Sequence, residues 1–127
     1  GAMIEASKKV KPWRNDVKEA ALKCYNSGAL NFPVKTDIEF VFPRPKSHFG
    51  TGKNAEVLKP SAPQYCTSRG NGDIDKLSRS TLDGLSVSAG GSVIEDDSLV
   101  VELNTKKRYV NKDELPGAYI AISSICD

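Results

Sequence analysis

Apolar residues recur along the chain with two different periods, one typical of helices and one of strands. Between Pro12 and Asn26 they return every three or four positions, which predicts an α-helix with one apolar face. Pro12 suits the first position of that helix, and Gly28 suits the residue just beyond its end. The apolar face consists of Trp13, Val17, Ala20, Ala21 and Cys24.

Residues 34–42 alternate apolar and polar side chains between Pro33 and Pro43, which predicts a strand with one face in water. The helical period returns from Asp73 to Leu85, and further strands are predicted over 98–106 and 118–125. The expected inward residues are Ile74, Leu77, Ser78, Thr81, Leu82 and Leu85 in the helix, and Leu99, Val101 and Leu103 in the strand after it. This order predicts one α+β domain over residues 1–127, with a small mixed sheet packed against two helices.

A long segment without periodicity, residues 43–72, separates the first predicted strand from the second helix. Unstructured loops of this length inside a compact domain are usually functional or disordered. Its cations are Arg44, Lys46, Lys53, Lys59 and Arg69, and its one acid is Glu56. With Phe49 and Tyr65 among them, these cations could follow a nucleic-acid backbone while the aromatic rings stack on bases. A solvated surface loop is the equally simple alternative.

Composition narrows the class of protein. Hydrophobic residues make up 39% and charged residues 27% of the 127, which is typical of a globular chain. No apolar run approaches a membrane span or a signal peptide, so we expect a soluble protein of the cytoplasm. Three scattered cysteines and one histidine exclude a disulfide framework and a His-rich zinc site. Gly1 and Ala2, before Met3, are interpreted as a vector scar and left out of the predicted fold.

Charge is unevenly divided between the two halves of the chain. Residues 1–60 carry 11 Lys+Arg and 6 Asp+Glu, whereas residues 61–127 carry 7 and 10. Such a division suits a polyanion held against a metal-loaded carboxylate cluster. A chance division of surface charge would look the same.

Two acidic groups could form that cluster. Asp73 and Asp75 open the second helix, and because residues two apart in a helix point away from each other, they converge only if Asp73 lies outside it. Asp96 and Asp97 follow Glu95 before the next strand, where a cation would relieve their repulsion. Oxygen ligands without His or Cys select Mg²⁺ or Mn²⁺. The alternatives are a helix cap for the first group and a polar turn for the second.

Arg79 lies four residues after Asp75 and four before Asp83, on one face of the predicted helix. An ion-pair ladder along the helix is one interpretation. The other is that Arg79 binds a phosphate held against the carboxylates. With a metal ion, that combination would suit phosphodiester hydrolysis.

These motifs together resemble the RusA family of Holliday-junction resolvases, in the form that many bacteriophages carry. The resemblance rests on Gly72-Asp-Ile-Asp75-Lys-Leu-Ser-Arg79, on the Gly-containing break, and on Asp96-Asp97 before an apolar strand, and it covers most of residues 8–125. It implies a RusA-like fold and a homodimer that acts on branched DNA with Mg²⁺, which Mn²⁺ can replace. It also implies catalytic metal ligands at Asp73, Asp75 and Asp97, with Asp96 beside them. It also implies a phosphate contact at Arg79.

The sequence departs from the family pattern in three places. The family's Asn and Lys in the helix are Lys76 and Arg79 here, and arginine cannot release its proton. Family members usually begin with a strand or hairpin, for which only residues 3–11 are present. We therefore expect that strand to be missing and a sheet edge to be exposed, whether the chain is truncated there or dispenses with it.

The sequence thus predicts a Mg²⁺-dependent endonuclease that cleaves Holliday junctions or other branched DNA. Its expected DNA contacts are Lys46, Lys53, Lys59, Arg69, Lys76 and Arg79. The alternative is a branched-DNA-binding protein with little or no cleavage. A restriction-type nuclease is less favoured, since Glu102-Leu-Asn104 lacks the lysine that an acid-x-Lys strand motif requires.

Overall fold

The computed structural model describes residues 2–4 and 10–125, with side chains from Trp13 to Ile125. Its elements are β1 (Ala2–Ile4), α1 (Val10–Cys24), β2 (Val34–Phe42), α2 (Ile74–Leu85), β3 (Val100–Tyr109) and β4 (Gly117–Ser124). The strands form one mixed sheet in the order β1-β4-β2-β3, in which β2 and β3 are parallel and the other pairs antiparallel. The predicted α+β class, with a small mixed sheet and two helices, is confirmed.

Both helices cover one face of the sheet, and alternate residues of the strands are buried beneath them. Val34, Thr36, Ile38 and Phe40 of β2 are all buried, as the two-residue period predicted. The rest of the core comes from the helices, β4 and the turn after α2, as Trp13, Val17, Leu85, Val93, Ile94, Ala118 and Ile120. Where the helices meet, the indole Nε1 of Trp13 donates to Thr81 Oγ1 at 3.0 Å, so two buried polar groups satisfy each other.

The two predicted helices form with small shifts of their ends. The first helix ends at Cys24 rather than Asn26, which leaves Cys24 exposed instead of inward-facing. The second helix begins at Ile74 with Asp73 as its N-cap and ends at Leu85. Gly28 adopts a φ of 102° in the turn after α1, a conformation that favours glycine.

Two of the β3 residues predicted to point inward, Val101 and Leu103, are exposed, although Leu103 shares the inner face with its partner Thr36. Val34 pairs with Val100 but Lys35 pairs with Glu102, so the register shifts and Val101 is left over. This irregularity turns Val101 outward, where it is 62% exposed. The strand also continues to Tyr109, three residues beyond its expected end, and this extension places Lys107 on the same face as buried Phe40.

The amino-terminal expectations are also corrected. Ala2 pairs with Ile120 and Ile4 with Ala118, so a short β1 covers the outer edge of β4. A sheet ladder forms through backbone groups and accepts any side chain, which is why Ala2 takes part although its sequence gave no strand signal. Gly1, and residues 5–9 of the expected strandless segment, lie outside the described residues.

Charged side chains form a hydrogen-bonded network on the outer face of the sheet at the end of β3. Arg108 makes two contacts of 2.7 Å with the Glu114 carboxylate, and its Nε is 3.1 Å from Glu39. Tyr119 and the backbone N–H of Asn111 also donate to Glu114. Arg108 and these donors lower the pKa of Glu114 to about 2. The network fixes the end of β3, where the inner face carries Lys107 and Tyr109.

Gly84 allows α2 to approach α1 closely, and this generates a stability prediction. A Cβ at Gly84 would lie 2.8 Å from the Arg14 carbonyl oxygen and 2.9 Å from Val17 Cβ. Gly84→Ala should therefore destabilise the fold by about 1–3 kcal/mol despite the better helix propensity of alanine. Urea unfolding measures the change. The control is Gly70→Ala, where the added carbon meets only Ser68 Oγ at 3.7 Å, and equal stability of the two variants would contradict the packing argument.

Candidate functional site

Asp73 and Asp75 lie together at the beginning of α2. Gly72 precedes them with a φ of 88°, so the chain turns sharply just before the helix, and Asp73 stays extended at the N-cap position. The prediction that Asp73 lies outside the helix is confirmed. Its side chain makes no capping hydrogen bond and is 73% exposed, and Lys76 approaches it only to 4.0 Å. The helix-cap interpretation therefore does not account for the Asp73 carboxylate.

Asp96 differs from the other candidate acids because the fold itself uses its carboxylate. It is the N-cap of the short turn 97–99 and accepts from the backbone N–H of Ser98 at 2.9 Å and from the hydroxyl of Ser88. These hydrogen bonds, with that from Ser88 the largest contribution, lower the pKa of Asp96 to about 2. Asp97 makes no such contact among the described residues and is exposed.

The expected convergence of Asp97 with the first pair is not formed in the structure. The turn that begins at Asp97 packs against α2. Among residues 2–4 and 10–125, however, no three His, Cys, Asp or Glu side chains come close enough to hold a metal ion. Like charges repel, and these carboxylates lie in water at separate turns. The assignment of Asp73, Asp75 and Asp97 as ligands stays a prediction.

The free carboxylates nevertheless fit a magnesium ion chemically. Mg²⁺ in proteins typically uses one or two carboxylates and completes its shell with water and substrate phosphates. Asp73 and Asp75 are exposed at one end of the same helix and could supply such a pair. Asp96 is less suited to metal binding, since its oxygens already accept two hydrogen bonds.

The ion-pair ladder along α2 is absent, because Asp83 turns instead to α1. Its carboxylate lies 2.9 Å from Arg14. Arg79 is exposed, and no carboxylate of the described part of the chain lies within ion-pairing distance of it. Arg79 is therefore free to bind an external anion. Lys76 is also exposed, and its only ion-pair contact in the described part of the chain is the one at 4.0 Å to Asp73, so its ammonium can bind an anion as well.

The long loop is anchored by contacts that the sequence did not reveal. The Arg44 guanidinium stacks on Tyr109 at 4.4 Å from the ring centre, and its Nη1 donates to the Pro63 carbonyl at 2.7 Å. His48 packs edge-on against the same ring and lies 3.3 Å from Arg44 Nη1. His48 thus packs within the loop as a structural residue. The other four loop cations stay exposed, namely Lys46, Lys53, Lys59 and Arg69.

The end of the loop is held at the start of α2. Cys66 is buried and accepts from Asn71 Nδ2 at 3.1 Å. Burial and the neighbouring Cys66 raise the pKa of Tyr109, which is 6% exposed. Lys107 Nζ donates to the Gly72 carbonyl at 3.1 Å. Sequence reasoning ended the strand at Lys106, because residues 104–108 are all polar and give no apolar alternation, so it could not assign Lys107 and Tyr109 to one inner face.

Comparison with known proteins identifies one family. The family model described as Endodeoxyribonuclease RusA matches residues 1–123 of the 127-residue chain. Searches of the curated proteins and of the solved structures gave no match. No helix in the described part of the chain is long and apolar enough to cross a membrane.

Two neighbouring acids allow a direct test of the capping role. Asp96→Ala should lower the melting temperature in metal-free buffer, because the Ser98 N–H and Ser88 hydroxyl lose their acceptor, whereas Asp97→Ala should not. Folding depresses the pKa of Asp96 from about 3.9. Its contribution should therefore be complete above pH 4 and disappear as the pH falls toward 2. Melting curves across this range measure it, and a difference between wild type and Asp96→Ala that does not change with pH would contradict the assignment.

Proposed function

This chain belongs to the RusA family of endodeoxyribonucleases, and on that premise we propose that it cleaves Holliday junctions or related branched DNA by Mg²⁺-dependent hydrolysis. The family is one of divalent-metal-dependent Holliday-junction endonucleases, so the activity class follows from membership. The observation that carries the finer proposal is which of the acidic side chains already accept hydrogen bonds within the protein. The side-chain carboxylates of Asp73, Asp75 and Asp97 accept no hydrogen bond among the described residues, whereas that of Asp96 does.

In the proposed mechanism Asp73, Asp75 and Asp97 would hold Mg²⁺. The ion, when bound, would supply an activated water and stabilise negative charge on the phosphate. The chain's own residues orient the DNA. Arg79 donates to a phosphate oxygen beside the carboxylates, and Lys76, one turn earlier, adds positive charge at the start of the helix. Mn²⁺ should replace Mg²⁺, since both prefer oxygen ligands.

The exposed cations of the loop are proposed to carry most of the DNA binding. Lys46, Lys53, Lys59 and Arg69 are exposed, and none has an ion-pair partner in the described part of the chain. The loop leads directly into Asp73, so its cations can surround an acidic site that by itself would repel DNA. Tyr65, at 72% exposure, is available to stack on an unpaired base.

A homodimer and a cytoplasmic location complete the proposal. A four-way junction presents two symmetry-related strands, and a two-fold dimer would bring one site to each. DNA in a bacterial cell lies in the cytoplasm, which is also where a bacteriophage-encoded enzyme would meet it. Light scattering on the free protein measures the oligomeric state.

A branched-DNA-binding protein with little cleavage is the second candidate. Two observations favour it, namely that Arg79 stands where the family pattern has lysine and that the carboxylates are not grouped in the structure. The cleavage experiment below separates the two candidates, because both predict junction binding but only one predicts product.

The central test removes one acid at a time. Asp75→Asn and Asp97→Asn should each lower junction cleavage at least 100-fold while leaving junction binding nearly unchanged, since the metal site is lost and the basic surface remains. A labelled four-way junction, compared with linear duplex and flap DNA, measures cleavage in Mg²⁺, Mn²⁺ or Ca²⁺. Ca²⁺ should permit binding without turnover because of its looser coordination. Cleavage in excess EDTA would exclude the mechanism, and wild type that binds without cutting would favour the second candidate.

Arg79 is tested by keeping or removing its charge. Arg79→Ala should lose cleavage strongly, whereas Arg79→Lys should keep much of it, because a point charge can still meet a phosphate. Rates at saturating junction concentration measure the effect. An inactive Arg79→Lys variant would instead indicate that bidentate donation from two guanidinium N–H groups is needed.

The salt dependence of binding tests the loop. Each phosphate contact contributes a slope of about −0.9 in log K against log salt, so replacing Lys46, Lys53 and Lys59 with alanine should flatten the slope by up to about 2.7. Replacing Lys23, Lys106 and Lys112, three exposed lysines outside the loop, removes the same charge as a control. Equal slopes for the two triple variants would remove the loop from the DNA-binding surface.

A further inference from the structure

Lys107 makes an unusual contact for a lysine on a strand. Its ammonium, partly buried between the sheet and the loop, donates to the Gly72 carbonyl at 3.1 Å and joins residues 35 positions apart. Gly72 is the residue immediately before Asp73, the first of the proposed metal ligands. The contact therefore links the inner face of β3 to the start of the acidic site.

Gly72 needs such an anchor because of its conformation. Its φ of 88° and ψ of 163° are open to glycine and strained for other residues, and an added Cβ would meet Leu77 no closer than 3.8 Å. Backbone geometry, rather than lack of space, thus calls for glycine here. Gly70 is also in this segment, so the chain entering α2 has little stiffness of its own. Asn71 is held through Cys66, and Lys107 holds the last carbonyl before the helix.

Lys107 differs from its two neighbours on β3, which are both ion-paired on the outer face. Lys106 points to the outer face and lies 3.2 Å from Glu39, and Arg108 is paired with Glu39 and Glu114. Lys107 forms no ion pair with any carboxylate in the described part of the chain. Two of its three N–H donors thus remain after the Gly72 contact, and its positive charge lies beside the segment where carboxylates would have to gather.

We propose that Lys107 is a positioning residue for metal binding, which fixes the Gly72 carbonyl so that the Asp73 carboxylate is held next to Asp75. The inference rests on the proposed function in taking these carboxylates as metal ligands. Lys107 acts through the backbone and does not itself coordinate the ion. A positive charge beside a cation site would by itself oppose metal binding, so the role of Lys107 rests on its hydrogen bond to the Gly72 carbonyl.

Metal-induced stabilisation of the protein without DNA is the decisive measurement. Thermal melting is followed while Mn²⁺ or Mg²⁺ is titrated into wild type, Lys107→Met and the matched control Lys106→Met, which removes the same charge one residue away on the opposite face. Lys107→Met should need about 10- to 100-fold more metal for half the stabilisation, as when other supports of metal ligands are removed. Lys106→Met should behave as wild type, and Lys107→Arg should recover part of the affinity because it keeps a charged donor.

A metal titration of junction cleavage gives the second measurement. Lys107→Met should regain most of the wild-type rate at high metal, so the change lies in the metal requirement and not in the maximal rate. If Lys107→Met fails to fold, Lys107→Gln and Lys107→Arg decide in the same way, with only the arginine variant near wild type. Identical metal titrations for Lys107→Met and Lys106→Met would overturn the proposal.

Different results would overturn the proposed function and the role of Lys107. Wild type that shows metal-induced stabilisation, lost in Asp75→Asn, but cuts no branched DNA would overturn the proposed function and leave the Lys107 proposal intact. Wild type that cuts junctions while Lys107→Met keeps the same metal requirement would overturn only the role of Lys107.

Discussion

Parallel pairing between β2 and β3 is the constraint on which the rest of the structure depends. Phe42 at the end of β2 lies beside Tyr109 at the end of β3, while Val34 lies beside Val100 at the other end. No tight turn can join strands in this relation, so residues 43–99 must cross back over the sheet. Every predicted site residue lies in this crossover. The fold therefore places its candidate chemistry on the connection and leaves the sheet as the support.

The two faces of β3 contact different parts of the protein, and only the inner face contacts the crossover. Because successive side chains of a strand point to opposite faces, Lys106 and Arg108 reach the outer carboxylates while Lys107 and Tyr109 reach the loop. A shift of one residue in register would exchange these faces, putting Lys107 and Tyr109 outside and the ion-paired Lys106 and Arg108 inside. The irregularity at Val101 is thus consequential, because it sets which face each later residue of β3 occupies.

Local patterns predicted much of the fold, and contacts distant in sequence account for the rest. The strand over 34–42 and the helix beginning after Asp73 follow from their apolar periodicity, which is local. The short β1 could not be predicted, since three residues carry no period and pair only through the backbone. For the site, the acids were recognisable from residue type and from family resemblance. The separate role of Asp96 was not, because it depends on Ser88 across a turn. Lys107 depends on Gly72, 35 residues away.

The charge of the chain has a different meaning once paired and unpaired groups are separated. The net charge of +2 and the basic and acidic halves count every ion equally. In the structure Arg14 is matched by Asp83, and Arg108 by Glu39 and Glu114, so these ions serve packing and project little field. The charges without an ion-pair partner in the described part of the chain include Asp75 in the first turn of α2 and the exposed cations of the loop before it. An uneven charge in the sequence is therefore informative here mainly through the ions that folding leaves unneutralised, and every candidate site residue among them lies on the one crossover that the parallel strands require.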